Sequence, residues 1–282
     1  MIMQALVSGI TGGLIYALIA VGFSLIFGIA RILFMVHGEL YMIGALLAFF
    51  AIEILGIDYY IALVIITFLV GIFAFLIERF IRRLHGEQLP TLIVTLAIGM
   101  IISNLALLFF GERAQVVTTA TLLTGHIDIF GASIDGQRLL IIIITLLVVI
   151  GLYFLINKTL IGISIRALAQ DREAAILQGI NAYRSQAITF FIAGAAAGLA
   201  GILVAPLYYV DAFSSGTALT KCFVVVVLGG LGSLPGAIAG GLFLGLIESF
   251  GSITIGGYAI LLSFAAVIIM LIVRPRGFLG RE

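Results

Sequence analysis

Few side chains in this sequence of 282 residues are placed to do chemistry, and their spacing excludes most of it. Three histidines, His37, His85 and His126, stand far apart without metal-ligand spacing, and no H-E-x-x-H pair occurs, so no metal is expected. The single cysteine, Cys222, has no base near it in sequence and lies in an apolar run, where a thiol behaves as a small buried hydrophobe. The stretch LGGLGSLPGA, Leu228 to Ala237, has the glycines of a phosphate loop but no lysine after them. Pro235 also stands where a dinucleotide fingerprint needs glycine, so this is no nucleotide site and no cofactor is expected. The chain is read as a non-enzyme; if ATP drives it, another chain hydrolyses the ATP.

Three other groups of residues carry more. His37, Gly38, Glu39 and Tyr41 open an apolar stretch. A carboxylate in a helix's first turn is stabilised by the positive end of that helix, and glycine lets the backbone leave helical geometry. The group is either a polar break lining a translocation route or gate, or a capping carboxylate beside a membrane-surface histidine. Gly229, Gly230, Gly232, Ser233 and Pro235 separate two apolar stretches. They form either a broken helix whose bared backbone groups receive a zwitterion, or a tight turn. Lys221 and Glu248 fall within apolar runs, where an ionisable group costs about 2.5–3.5 kcal/mol on insertion scales. Both lie near the end of a run, and Lys221 is long enough to reach the membrane surface.

The segment 160–183 is too polar to span a membrane. Helix-forming residues from Ser164 to Gln178, followed by Gly179 and Asn181 as stop signals, predict one short helix. Its apolar positions Ile165, Leu168, Ala169 and Ile176 suit a groove in another protein, while Arg166, Asp171, Arg172 and Glu173 supply charged contacts. Resting on lipid headgroups is the other use of such a helix, which the mixed charge disfavours.

The elements that hold these residues follow from composition. Hydrophobic residues make up 63% of the chain and charged residues 10%, against about 45–50% and about 25% in soluble proteins. A mean hydropathy of +1.34 excludes a disordered chain, a nucleic-acid binder and a water-soluble enzyme, and makes the lipid bilayer the first partner. Nine uncharged stretches approach the roughly 20 residues of a spanning helix. They are Ala5–Ile29, Gly38–Leu55, Tyr59–Ile77, Thr91–Phe110, Leu139–Ile156, Gln186–Pro206, Thr217–Gly232, Gly236–Phe250 and Tyr258–Val273. The second, seventh and eighth are short enough to be discontinuous, so about 8–10 spans are expected. Gly-x-x-x-Gly spacings at Gly9/Gly13, Gly194/Gly198, Gly236/Gly240 and Gly241/Gly245 predict close helix pairs.

Basic residues are retained on the cytoplasmic side of a membrane. With nine spans, Arg31, the cluster Arg79, Arg82 and Arg83, the group Lys158, Arg166, Arg172 and Arg184, and the set Arg274, Arg276 and Arg281 share one side. That places the C-terminus in the cytoplasm and the N-terminus outside; a tenth span within the first forty residues would move the N-terminus inside. The loop 111–137 is then external, and the alternation of Val116, Val117, Ile127, Ile129 and Ile134 with polar residues suits a small hairpin.

Within the polar segment, Glu173, Ala174, Ala175 and Gly179 give the spacing E-A-A-x-x-x-G. This resembles the coupling loop of ABC importer permeases, although the isoleucine and Leu-Pro that continue that pattern are absent. With the stretch from Val36 to Ala45, preceded by Tyr16-Ala17-Leu18 and Gly22, and the run from Val224 to Ala237, it is similar to the branched-chain amino-acid permease family, LivH-type subunit. The resemblance covers nearly the whole chain. It implies an all-α polytopic transmembrane helical bundle of the ABC importer permease type with discontinuous helices. One permease domain would fill residues 1–282, with a cytoplasmic coupling loop at 160–183 built on Arg166, Asp171, Arg172, Glu173, Ala174, Ala175 and Gly179.

The implied partners are a second, longer permease homologue, two ATP-binding subunits and an extracytoplasmic solute-binding protein; the implied place is the cell's inner membrane. The implied solutes are branched-chain amino acids, with urea, short amides and other amino acids carried by relatives. An ion-coupled secondary transporter is the competing class, with Glu39 and Glu248 as its coupling candidates.

Overall fold

The computed structural model describes residues 2–84, 88–118, 126–129, 132–274 and 277–279. His85, Arg276, Arg281 and part of the 111–137 loop lie outside the described residues. All nine apolar stretches fall on helices: α1 (Ile2–Ala30), α2 (His37–Phe49), α3 (Tyr59–Ile81), α4 (Gln88–Phe110), α5 (Gly136–Lys158), α8 (Ala182–Val204), α9 (Ser214–Gly229), α10 (Leu234–Ile255) and α11 (Ala259–Val273). Between α5 and α8 run two short helices, α6 (Leu160–Gln170) and α7 (Arg172–Leu177). Among the described residues, seven helical runs are long and apolar enough to cross a membrane. The protein is an all-α polytopic bundle, decorated by one hairpin.

That hairpin pairs β1 (His126–Ile129) with β2 (Ala132–Asp135), Ile127 opposite Ile134. Val116 and Val117, which the alternation also assigned to it, lie outside both strands. Instead Gln115 makes an isolated bridge to Val210, beyond the end of α8. The end of the bundle that carries these segments is termed the hairpin end, and the end with α6 and α7 the loop end.

Residues 2–30 form one continuous helix, followed by an irregular segment, 31–36, so no tenth span fits among these described residues. α1 is apolar all round and correspondingly enclosed, as a helix without a polar face must be. Its main neighbours are α10, α8 and α9. The paired glycines explain the closeness. A Cβ on Gly13 would lie 2.8 Å from Leu242 Cα, and one on Gly241 2.6 Å from Ala17 N, so the glycine faces of α1 and α10 meet each other. Gly198 likewise admits Val70 of α3, where a Cβ would come 2.6 Å from the valine Cβ.

Two span lengths differ from expectation. The eighth stretch, expected to be short, is the 22-residue α10, because Gly251 and the residues up to Ile255 continue the helix. α11, expected to be ordinary, has 15 residues; α9, expected to be short, has 16, about 24 Å at 1.5 Å per residue and less than the roughly 30 Å of a bilayer core. The second stretch is discontinuous in another way: α2 runs into a π-helical turn at Phe50–Ile54, with Leu55 N–H bonded to Phe50 O at 3.1 Å.

α2 also starts inside the bundle. After α1 ends, Ile32, Phe34 and Val36 are buried in the irregular segment, and the His37 ring reaches back to Ile19 and Gly22 of α1. Gly22 is eight residues before Ala30, about 12 Å along the helix axis. Non-helical backbone at that depth survives because it is enclosed by protein, not lipid.

A candidate translocation site

The shortness of α9 leaves a cleft of about 680 Å³ above its first turn, on the side of the hairpin end. The chain leaves α8 at Val204, passes through irregular residues and begins α9 at Ser214, where the Asp211 carboxylate accepts from Phe213 N–H and the Ser214 hydroxyl. Tyr208, Tyr209 and Asp211 contribute to its lining, with Ile15, Val204 and Phe213 among the apolar members.

Tyr16, Lys221 and Glu248, from α1, α9 and α10, meet in this cleft. Lys221 Nζ lies 2.9 Å from Glu248 Oε2, and the Tyr16 hydroxyl donates to the same oxygen at 2.6 Å. Lys221 Nζ also donates to the Tyr16 hydroxyl and sits 4.5 Å from the centroid of that ring. Tyr16 is the middle residue of α1, which puts the trio at the depth of the bundle centre. The pair is not sealed: the Lys221 and Glu248 side chains are 24% and 18% accessible. A second cavity of about 350 Å³, reaching Val224, Leu244 and Phe264, shares both residues in its wall.

Of the residues singled out in the sequence, Tyr41 lines the cleft. His37 does not: it is fully buried, its Nε2 2.9 Å from Ile19 O and its ring edge-on to Phe23. Gly38 is helical and needs no unusual backbone angle. Its lack of a side chain serves close approach, since a Cβ there would come 2.8 Å from the Leu219 Cβ and collide with Ser215 O. Glu39 points toward Gly99 of α4, and its Oε2 has no hydrogen-bond partner.

Gly229, Gly230, Gly232, Ser233 and Pro235 lie at the loop end, in a tight turn between α9 and α10. Gly230 and Gly232 take φ of 99° and 79°, values open to glycine, while Ser233 Oγ caps Gly236 N–H at 3.1 Å and Pro235 occupies the first helical turn. The last carbonyls of α9 are already engaged: Phe278 N–H reaches Leu228 O at 2.8 Å and Leu279 N–H reaches Gly229 O at 3.1 Å.

Lys221 was expected to reach the surface; it turns inward to Glu248. The signal in the sequence was a pair of opposite charges, each alone in an apolar run, but nothing in a separation of 27 residues says that they meet. Among the described residues, no group of three metal-ligating side chains occurs.

The segment 160–183 departs from the single helix expected. Asp171 adopts an extended backbone, ends α6, and caps α7 by accepting from Ala174 N–H at 3.0 Å. A carboxylate that caps well also breaks the helix before it. Gly179 closes α7 with φ 85°, its N–H bonded to Ile176 O at 2.9 Å, and Ile180 N–H returns to Ala175 O. Ile165 and Leu168, expected to face another protein, are buried against this chain, as is Ala175. Of the apolar positions named with them, Ile176 is exposed, together with Glu173, Ala174 and Leu177, the last at 85%. Arg166 reaches Asn157 O at 3.5 Å, and Arg172 borders a groove of about 440 Å³ between α6, α7 and the end of α1.

Membrane-length helices around a charged cleft, with a loop bearing apolar side chains at one end, form a multi-pass membrane transport protein. Residues 5–273 match the family model described as "Branched-chain amino acid transport system / permease component". The chain belongs to that family. It is 35% identical to the high-affinity branched-chain amino acid transport system permease protein BraD of Pseudomonas aeruginosa, over 99% of this chain and 96% of the relative. It is 35% identical, with the same coverage, to LivH of Escherichia coli K12. LivM of the same bacterium is 26% identical over 94% of this chain and 68% of its own length. No solved structure matches.

Proposed function

We propose that the chain is the transmembrane permease subunit of an ATP-driven importer that moves branched-chain or related amino acids across the cytoplasmic membrane. A solute-binding protein delivers the amino acid from outside, two ATP-binding subunits dock at the loop end, and a second, longer permease completes the pathway. The similarity to LivM, which exceeds this chain in length, supports such a pairing.

The observation that carries the reading is α7 with its exposed Ile176 and Leu177. A six-residue helix, capped at one end by Asp171 and stopped at the other by Gly179, presents two large apolar side chains that its own bundle leaves uncovered. A rigid, short, apolar-tipped helix suits a cleft on a nucleotide-driven partner and passes that partner's movement to α5 and α8, which flank the loop. The loop end then faces the cytoplasm, with Arg79, Arg82, Arg83 and Lys158 near it and the C-terminus on the same side. Four members of the coupling group, Asp171, Glu173, Ala174 and Gly179, are exposed around the apolar tip.

The test is a tagged pull-down from native membranes, comparing wild type with Gly179→Asp and identifying co-purified chains by mass spectrometry. An ATP-binding subunit present with wild type and missing with the variant is the expected result. A wild-type chain that purifies without any ATPase, yet moves solute down an imposed ion gradient in vesicles, would overturn the reading.

A further inference from the structure

Lys221 and Glu248 form a pair of opposite charges at the depth where α1, α9 and α10 cross, open to a cleft large enough for a small molecule. A buried ion pair is a poor fastener: replaced by apolar side chains of similar volume, such pairs leave stability unchanged or raise it. Charges kept at membrane depth therefore point to a task other than holding helices together. Two of the three contacts converge on one carboxylate oxygen, and the third joins the ammonium to the Tyr16 hydroxyl, which also donates to that oxygen. The third charged group of the cleft, Asp211, is occupied by Phe213 N–H and the Ser214 hydroxyl at the start of α9.

We infer that Lys221 and Glu248, bridged by Tyr16, form a binding site for the zwitterionic end of an amino acid in the translocation path, the internal ion pair standing in for the solute when none is bound. The inference rests on the amino-acid importer reading above and deepens it.

An amino acid carries a carboxylate and an ammonium group on one carbon. Its carboxylate takes Lys221 Nζ, its ammonium takes Glu248, and the bond between Lys221 and Glu248 opens. Two charged contacts replace one, the net charge of the cleft is unchanged, and no ion has to enter with the solute. The apolar side chain then lies against Ile15, Val204 and Phe213, which line the same cleft. Because Lys221 and Glu248 also belong to the wall of the second cavity, parting them connects the two spaces. When the solute leaves, the pair re-forms and the wall closes.

The experiment uses the full assembly, with ATP-binding subunits and solute-binding protein, in proteoliposomes, and reads ATP-driven uptake of radiolabelled leucine at saturating binding protein. Lys221→Gln and Glu248→Gln are each expected to lower maximal uptake by about tenfold or more, the worth of a hydrogen bond to a charged group, with assembled complex recovered in normal amount. Tyr16→Phe, which keeps the ring, is expected to lower uptake several-fold. The double variant Lys221→Glu with Glu248→Lys is expected to assemble and to remain defective, because the reversed pair demands a reversed amino acid whose side chain no longer meets the apolar wall. Single variants within twofold of wild type, or a charge-reversed variant that recovers full uptake, would show a mere fastener and sink the inference. Where a single variant fails to assemble, Tyr16→Phe and the charge-reversed variant decide. A wild-type assembly that hydrolyses ATP and moves no amino acid would instead bring down the importer reading, and this site with it.

Discussion

Gly13 and Gly245 touch backbone to backbone: a methyl group on Gly245 would overlap the Gly13 Cα and amide. α1 and α10 thus meet at this point with no side chain between their backbones. Gly245→Leu is expected to cost more than the roughly 1–3 kcal/mol of ordinary overpacking, since the obstacle is backbone and cannot rotate away. The folded fraction recovered in detergent should fall sharply. Gly151→Ala, in the middle of α5 with open space around it, should stabilise by about 0.5–1 kcal/mol. Equal melting behaviour of the two variants would contradict this account of the helix pair.

Arg31 is the non-glycine residue with positive φ, 52°, among the described residues. It ends α1, its N–H bonded to Phe27 O at 2.9 Å, in a conformation that costs an L-residue about 1–2 kcal/mol. Arg31→Gly is expected to relieve about 1 kcal/mol and raise the melting temperature by a few degrees. An unchanged or lowered midpoint in a thermal-shift assay would mean that the arginine side chain contributes as much as its backbone loses.

Asp171 caps α7, and Asp171→Ala removes a cap whose loss typically costs about 0.5–2 kcal/mol. With only six residues, α7 has little else to hold it. ATPase activity in the assembly should become less responsive to solute-loaded binding protein, whereas Asp171→Asn, which keeps the acceptor, should behave as wild type. Two variants with the same stimulation would separate capping from coupling.

Glu39 faces Gly99 with one carboxylate oxygen unpartnered. Glu39→Gln is expected to lower transport without reducing assembly; normal uptake would count against a part in gating.

The spans were legible because apolar runs are local: each helix announces itself within its own 13 to 29 residues. Glycine spacing also foretold close pairs, but not which pairs, since Gly9 and Gly13 find their counterparts more than two hundred residues away. Where the reading failed, one residue had two uses. Asp171 counts as a tolerable helix residue in a sum of propensities, yet its carboxylate captures Ala174 N–H and divides the expected helix. Gly38, chosen for conformational freedom, is present for lack of bulk. The charged trio was hidden most fully, because Tyr16, Lys221 and Glu248 become one site only after three helices have crossed.

The central place of α1 has a consequence for biosynthesis. Its principal neighbours, α8, α9 and α10, begin at residues 182, 214 and 234, so at about 5–20 residues per second the ribosome supplies them roughly 10–40 s after α1 has emerged. Through that interval α1 has lipid where protein will later be. Its uniform apolar surface lets it wait there without exposing a polar face, and its glycine face, empty of side chains, stays open for α10. α1 thereby becomes interior only after residues made much later in the chain have arrived.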